Sequence, residues 1–200
     1  MERADEKILK ILNEMKDKTR EPLSITDGPI KIGDQYYEFE EASFFNQRLF
    51  VQLPKDFIDM EEKHKKIKYP HEQRPEIIKT EGTGAINFTF SQLDEELSDY
   101  WVKELTNGMR DVIKKTNPSN VFYTTEVESV NGKQIGYFEF KGSAIDGFIY
   151  NIMYFLAVDG KTLMGTFTCH YKDQPQWRDI AFQVIRSIQT AEIREQEVLP

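Results

Sequence analysis

Cysteine is almost absent from this sequence, which contains a single one, Cys169, among 200 residues. No disulfide can therefore form within the chain, and this agrees with a reducing compartment. Long apolar runs are also missing, and the mean hydropathy is −0.58. The longest apolar stretch, residues 147–158, is shorter than the roughly 20 residues of a membrane span and is interrupted by Asn151. The charged N-terminus lacks the apolar core of a secretory signal. We expect a cytoplasmic protein that does not enter a membrane.

An excess of positive charge is missing too. The chain has 26 basic and 34 acidic residues, a net charge of −8, whereas general nucleic-acid binding depends on basic side chains that neutralise phosphates. One lysine cluster surrounds Ile67, and its members are Lys63, Lys65, Lys66 and Lys68, with Glu61, Glu62 and Glu72 beside them. This mixture of signs favours a solvated helix face. We expect no nucleic-acid partner.

Histidine is scarce, and the motifs of catalysis are missing. His64 and His71 could supply two metal ligands, but zinc sites need four ligands, usually in close local pairs. Cys169 and His170 are neighbours on a predicted strand, where successive side chains point to opposite faces, so they cannot form a dyad. The segment around Gly82 lacks the remaining glycine and the helix of a dinucleotide site. We expect no catalytic residue, no cofactor and no metal.

The patterns that are present begin with a predicted amphipathic helix over residues 4–18, whose apolar stripe includes Ile8, Leu12 and Met15. A proline- and glycine-containing linker follows over residues 20–30. We therefore divide the chain into an N-terminal helix with its linker over residues 1–34, an α+β domain over residues 35–190 and a polar tail over residues 191–200.

The first half of the domain shows short strands and one long helix. Strands are predicted over residues 35–40, 48–53, 76–80 and 85–90, and residues 55–69 are partly helical. The helix is predicted over residues 93–115, with Ser91 and Asp94 at the spacing of a capping box. Its apolar residues form one face, on which Trp101 is expected in the core; the members of this face are Leu97, Trp101, Leu105, Met109, Val112 and Ile113.

The second half predicts a four-stranded antiparallel meander and a closing helix. The strands span residues 121–130, 134–141, 148–158 and 161–171, and the turns Asn131-Gly132 and Asp159-Gly160 are strong hairpin signals. The strand over residues 148–158 is apolar on both faces, which indicates cover on both faces of the sheet. A helix with Pro175 in its first turn then carries an apolar stripe that includes Trp177. We predict an antiparallel sheet of six to seven strands between helices.

This order of elements resembles the Mog1/PsbP-like fold. The resemblance covers residues 42–189 and rests on that order, on the phrase from Arg48 to Pro54 (RLFVQLP) that opens the domain, and on the closing Trp177 helix. It implies a bacterial member of a group that consists mostly of binding proteins, whose members bind a small GTPase, bind a photosynthetic membrane complex or chaperone secreted effectors. These roles differ, so the resemblance implies a class of function and identifies no functional residue.

Aromatic residues are the candidate binding features, since they dominate the energetics of protein interfaces. Several of them lie close together near the first strands, and they either fill the core or anchor a partner. On the strand over residues 134–141, alternation places Ile135 and Tyr137 outward from the Phe138 and Phe140 face, where they could line a groove. The candidate partner-binding residues are Tyr36, Tyr37, Phe44, Phe45, Ile135 and Tyr137.

These observations favour a non-enzymatic adaptor or chaperone-like module that binds another protein, with protein secretion as one expected setting. The alternative is an enzyme with a cryptic site in the cleft between the sheet and the insert over residues 55–75. A further alternative is self-association through the N-terminal helix. For the oligomeric state we expect a monomer or a weak homodimer.

Overall fold

The computed structural model describes residues 24–69, 74–144, 147–192 and 194. The helix predicted over residues 4–18, His71 and most of the predicted tail lie outside this part of the chain. The described strands are β1 (Ile30–Ile32), β2 (Gln35–Tyr37), β3 (Phe39–Phe44), β4 (Leu49–Pro54), β5 (Ile58–Asp59), β6 (Ile77–Thr80), β7 (Asn87–Glu96), β8 (Val121–Val130), β9 (Lys133–Ala144), β10 (Gly147–Val158), β11 (Lys161–His170) and β12 (Gln189–Thr190). The described helices are α1 (Glu62–Lys68), α2 (Val102–Thr116) and α3 (Gln174–Arg186).

Seven of these strands form one antiparallel sheet in the order β5-β6-β7-β11-β10-β9-β8. The predicted meander occupies the last four places, which confirms the sequence-based expectation. Its tight turns have the positive φ angles that two-residue hairpins need, with φ of 45° at Asn131 and 77° at Gly132. Asp159 and Gly160 repeat this pattern, with φ of 50° and 74°.

The central strand β10 is covered on both faces, as its composition predicted. Its residues Ile152 and Leu156 face the main core, together with the apolar side of α3. On the other face Ala157 packs with Val102 at the start of α2. Each large aliphatic side chain buried in this way contributes about 1.5–3 kcal/mol to stability, so the two helices hold the sheet from opposite sides.

A second layer of strands closes the main core. β12, β4 and β3 form a three-stranded sheet, and Leu49, Val51 and Leu53 of β4 are buried in the same cluster as Trp177 of α3. Residues 25–32, which the sequence pattern assigned to a linker, also pack there: Ile25, Ile30 and Ile32 are buried in this cluster. The packed unit therefore includes chain on the N-terminal side of residue 35.

The structure corrects the prediction at the first long helix. β7 continues to Glu96, so Ser91 and Asp94 lie in a strand and form no capping box. A 3-10 turn over Asp99–Trp101 follows, and α2 begins only at Val102. The predicted strand over residues 35–40 is likewise divided between β2 and β3.

Helix α2 approaches the sheet closely at Gly136 of β9. A Cβ atom placed at Gly136 would lie 2.0 Å from Oγ1 of Thr106 and 2.9 Å from Cγ1 of Val102. Gly136 is therefore required for this contact, because any side chain there would push the helix away from the sheet.

We expect Gly136→Ala to lower the free energy of unfolding by about 2 kcal/mol, because it overpacks this contact. Gly108→Ala is the matched control on the outer side of the same helix, where a Cβ atom meets nothing within 4 Å. It should raise stability by about 1 kcal/mol through helix propensity. Urea denaturation of both variants measures the difference, and equal effects would contradict the close approach.

None of the helices in the described parts of the chain combines the length and the apolar character that crossing a bilayer requires.

Candidate functional site

The most exposed aromatic pair of the described chain is Tyr100 and Trp101. The side chains are 81% and 53% exposed, and the rings meet edge to face with their centroids 5.0 Å apart. The turn that carries them is fixed at both ends. On one side the backbone N–H of Leu97 donates to the carbonyl of Gly160 at 2.9 Å, and on the other side Val102 is fully buried. A rigid turn thus presents two large aromatic rings to solvent.

The exposure of Trp101 overturns its predicted core position. The predicted stripe counted from Leu97 at α-helical spacing, but the chain from Leu97 to Trp101 is not α-helical. A 3-10 turn has about three residues per turn and so rotates the following side chains relative to that count. As a result Val102 and Thr106 face the sheet, and both are buried.

Acidic side chains surround this aromatic pair. The exposed end of β7 is acidic, and the acidic residues of this neighbourhood are Asp94, Glu95, Glu96, Asp99 and Glu104. A hydrogen bond from Lys161, at 2.8 Å, lowers the pKa of Asp94. A cleft of about 690 Å³ lies beside Trp101 and includes Asp94, Glu96 and Lys161 in its lining. Two basic side chains, Lys103 and Lys161, also line the clefts beside the rings, so the surface around the rings carries an excess of negative charge.

A groove runs from this pair along the outer strand of the sheet. It lies between α2 and β8, has a volume of about 510 Å³, and its lining includes Tyr100, Thr125, Val127 and Gln134. Asp99 lies in its wall and accepts a hydrogen bond from the backbone N–H of Gln134 at 3.4 Å. Tyr100 therefore belongs to both the exposed pair and this groove.

A second groove lies on the opposite face of β8, beneath α3, with a volume of about 560 Å³. Arg178, Phe182 and Arg186 follow one another at four-residue spacing along α3 and line it. Both guanidinium groups lie over the Phe182 ring, at 5.0 and 5.3 Å from its centroid. Glu126 of β8 takes part in the lining of both grooves.

The charged groups beneath α3 neutralise one another. Arg178 donates two hydrogen bonds to Glu139, at 2.7 and 2.8 Å, and Tyr150 donates a third. Glu139 is only 1% exposed. Burial raises the pKa of Glu139, but the bonds from Arg178 and Tyr150 outweigh burial and hold the pKa below its ordinary value.

A second arrangement of the same kind lies further along α3, at Arg186. Arg186 donates to both carboxylate oxygens of Glu128, at 2.7 and 2.8 Å. Tyr137 donates to Glu128 at 2.5 Å. The bond from Arg186 lowers the pKa of Glu128, and burial, followed by the bond to Glu128, raises the pKa of Tyr137. The two arginines of α3 are thus paired with glutamates of the sheet, and these ion pairs attach the helix to the sheet.

The other candidate chemistries of the sequence have structural explanations. Cys169 is fully buried, and burial raises the pKa of its thiol to about 12, so it stays protonated and unreactive at neutral pH. His170 is half-buried on the opposite face of the strand. Among the residues that the structure describes, no group of three or more histidine, cysteine or acidic side chains is placed to hold a metal ion.

The predicted partner-binding residues near the first strands do not share one surface. Tyr36 is 69% exposed, and it lines a cavity of about 600 Å³ with Lys55 and Asp56. Tyr37 is buried, with its ring 5.1 Å from that of Trp177. Alternation along β2 therefore separates the two tyrosines, and only Tyr36 is available to a partner.

The remaining predicted residues lie partly or wholly in the core. Phe44 and Phe45 are half-buried against it, and the Phe44 ring lies 5.2 Å from that of Phe90. Ile135 and Tyr137 do alternate with Phe138, as expected, but both are buried in the main core. Alternation places both on the face that α3 covers. Tyr137 nevertheless takes part in the lining of the groove beneath α3, whereas Ile135 is 1% exposed and is not available to a partner.

Comparison with known proteins bears on the fold. No family model matches the chain, and no curated protein matches it either. Among solved structures, the solution structure of cyanobacterial PsbP (CyanoP) from Synechocystis sp. PCC 6803 superposes with a TM-score of 0.56 at 9% sequence identity and covers 80% of this chain and 97% of that one. LpqN of Mycobacterium tuberculosis, described as involved in cell envelope biogenesis, superposes with a TM-score of 0.50 at 10% identity and covers 79% and 93% of the two chains. Together with the seven-stranded sheet and the helices packed against it, these matches show that the protein has the Mog1/PsbP-like α+β fold.

Proposed function

We propose that this protein is a non-enzymatic protein-binding module, an adaptor or a chaperone-like protein, whose partner docks on Tyr100 and Trp101. The observation that carries the proposal is the exposure of these two rings on a rigid turn. Contiguous exposed apolar surface marks interaction sites more often than isolated apolar residues do, and tryptophan and tyrosine are among the residues most enriched at binding hot spots.

The geometry supports docking in two further respects. The turn is held by Leu97 and Val102, so little conformational entropy is lost when a partner binds. The acidic groups around the rings favour a partner of opposite charge and speed its approach. We propose that the protein and its partner are cytoplasmic. We also propose a link to protein secretion, which the identity of the captured partner tests.

The test is quantitative capture from the native cell lysate with wild-type protein and with Trp101→Ala. We expect a specific partner whose recovery by Trp101→Ala falls about 30-fold, because a hot-spot truncation costs about 2 kcal/mol. Fluorescence gives a second measurement with the captured partner. Trp101 is exposed and Trp177 is buried, so partner binding should protect the iodide-quenchable part of the emission.

Tyr36→Ala is the matched control, because Tyr36 is a comparably exposed aromatic residue on a different surface. It should recover the partner as wild type does. The proposal is contradicted if Trp101→Ala captures as much partner as wild type, or if only Tyr36→Ala loses it. Unchanged thermal unfolding of both variants confirms that each comparison is made between folded proteins.

A further inference from the structure

Strand β8 is an unusually open edge of the seven-stranded sheet. It occupies the last place in the strand order, with no strand beside it in the parts of the chain that the structure describes. It is 10 residues long, compared with an average of about 5–6 for protein strands. Proteins commonly protect such edges with lysine or proline, but β8 contains neither. A bulge between Phe122 and Thr125 interrupts only its first part.

The pattern of hydrogen bonds identifies which backbone groups of β8 point outward. Val130 and Lys133 flank the two-residue turn and pair directly, so they exchange bonds with each other. Inward bonding then alternates along an antiparallel pair. The residues whose N–H and C=O groups point away from β9 are Thr125, Val127 and Ser129. These groups are available to a further strand.

The two grooves beside β8 lie where the side chains of a further strand would fall. Thr125 and Val127 line the groove that Tyr100 borders, whereas Glu126 contacts Tyr137 beside the groove of Arg186. Because successive side chains of a strand alternate between faces, an added strand would place its side chains in both grooves in turn. This is the arrangement by which strand addition obtains affinity from the backbone and specificity from the pockets.

The charge along this edge disfavours a second copy of the same chain. Two copies of β8 could pair antiparallel about a central residue. With residue 126 or 128 at the centre, that glutamate faces its own copy, and with residue 127 at the centre, Glu126 faces Glu128 of the other copy. Like charges at such positions are destabilising. A segment with a basic side chain opposite Glu126 is favoured instead, because that position is a non-hydrogen-bonded pair, where side chains approach most closely.

We propose that β8 binds an extended segment of the partner protein by strand addition, with a basic side chain opposite Glu126 and apolar side chains opposite Thr125 and Val127. This inference rests on the proposed function, since Tyr100 borders the groove that receives the apolar side chains. It assigns the partner a chemistry: an alternating basic and apolar segment without proline.

The probe is a synthetic peptide of alternating lysine and valine that is as long as β8, and the measurement is an NMR titration of the backbone amides of the full chain. We expect the largest shifts at Thr125, Val127, Ser129 and Tyr100. A peptide N-methylated on the valines, whose backbone cannot donate to the edge, should produce no saturable shift. Largest shifts at a different surface would overturn the inference.

Val127→Pro removes one outward N–H group while the inward bonds of Glu126 and Glu128 remain. Val127→Ala is the matched control, since it also replaces the valine side chain but keeps the N–H group. We expect Val127→Pro to bind the peptide about tenfold more weakly than Val127→Ala, from the lost bond and the blocked approach. Ser129→Pro and Ser129→Ala repeat the comparison at an exposed position, should Val127→Pro unfold.

Reversal of charge tests the recognition of basic side chains. Glu126→Lys should lose affinity for the lysine–valine peptide and gain affinity for a glutamate–valine peptide of equal length. Equal binding of the two peptides by wild type and by Glu126→Lys would overturn the assigned chemistry.

The outcomes separate this inference from the proposed function. If the proline and alanine variants bind the peptide equally while Trp101→Ala still loses the captured partner, strand addition is wrong and the binding module stands. If Trp101→Ala captures the partner like wild type, the proposed function fails, and strand addition loses its basis with it.

Discussion

Arg178→Ala should lower the free energy of unfolding by about 3 kcal/mol, the lower end of the loss expected when one partner of a buried ion pair is removed. Its partner Glu139 is 1% exposed and would stay buried as an uncompensated charge. The expected loss lies at the lower end because the Arg178 side chain is 37% exposed. Water can therefore enter the space that the guanidinium leaves, and Tyr150 still donates to the carboxylate.

The dependence on pH provides a sharper signature of the same pair. In the wild type the pKa of Glu139 is lowered on folding. The ion pair therefore adds stability above the unfolded pKa of about 4.3, and this part is lost as pH falls through the folded value. Without Arg178, we expect burial to dominate and to raise the pKa of Glu139. Protonation of Glu139 then removes the unpaired buried charge and part of the destabilisation. We expect the stability difference between the two proteins to shrink from pH 7 to pH 4 in urea denaturation.

Two control variants test whether the loss comes from the buried charge of Glu139. Arg186→Ala breaks the corresponding pair with Glu128, which is 25% exposed, and should cost only about 1 kcal/mol. The double variant Arg178→Ala/Glu139→Leu removes the buried charge together with its partner and should recover much of the loss. Equal losses for Arg178→Ala and Arg186→Ala, or a double variant less stable than Arg178→Ala, would show that Glu139 does not depend on its ion pair.

Gly165→Ala is expected to destabilise the protein by about 3 kcal/mol through overpacking. Gly165 of β11 lies directly opposite Tyr154 of β10, and the tyrosine ring covers it. A Cβ atom at position 165 would lie 2.1 Å from Cζ of Tyr154 and 2.3 Å from its hydroxyl oxygen. The ring cannot move aside easily because Tyr154 is fully buried.

A double-mutant cycle isolates this steric conflict. Tyr154→Leu removes the atoms that the new methyl group would meet, so Gly165→Ala should cost less in that background than in wild type, by about 1 kcal/mol or more. Gly82→Ala is the control for the general effect of the substitution, because a Cβ atom there meets nothing within 4 Å. Additive losses in the cycle would mean that the ring does not set the cost at Gly165.

The sequence predicted the features that depend on local chemistry. The meander from Val121 to His170 follows from two turns whose residues tolerate positive φ and from strand patterns of period two, and its four strands are where the pattern placed them. The closing helix follows from apolar residues at helical spacing, and Trp177 is buried as predicted. The resemblance to the Mog1/PsbP-like fold rested on this order and is confirmed by the superpositions.

The candidate site was not predictable in the same way. Whether Trp101 lies inside or outside depends on the end of β7, and β7 extends to Glu96 because it pairs with β11 as far as Lys161. Likewise the alternation around Tyr137 shows that two faces differ, but it contains no information on which face α3 covers. In both cases contacts between residues distant in the chain choose between two locally acceptable arrangements.

By itself, then, the sequence determined the net charge, the single cysteine, the hairpins and the amphipathic helices, because each depends on residues that are close in the chain. Only the tertiary structure decided that Tyr100 and Trp101 stand in solvent, that Tyr137 lies in the core, and that β8 is an open edge between two grooves. The physical reason is that exposure is a property of the neighbours that a side chain acquires on folding. For these residues the neighbours come from other strands and from helix α3.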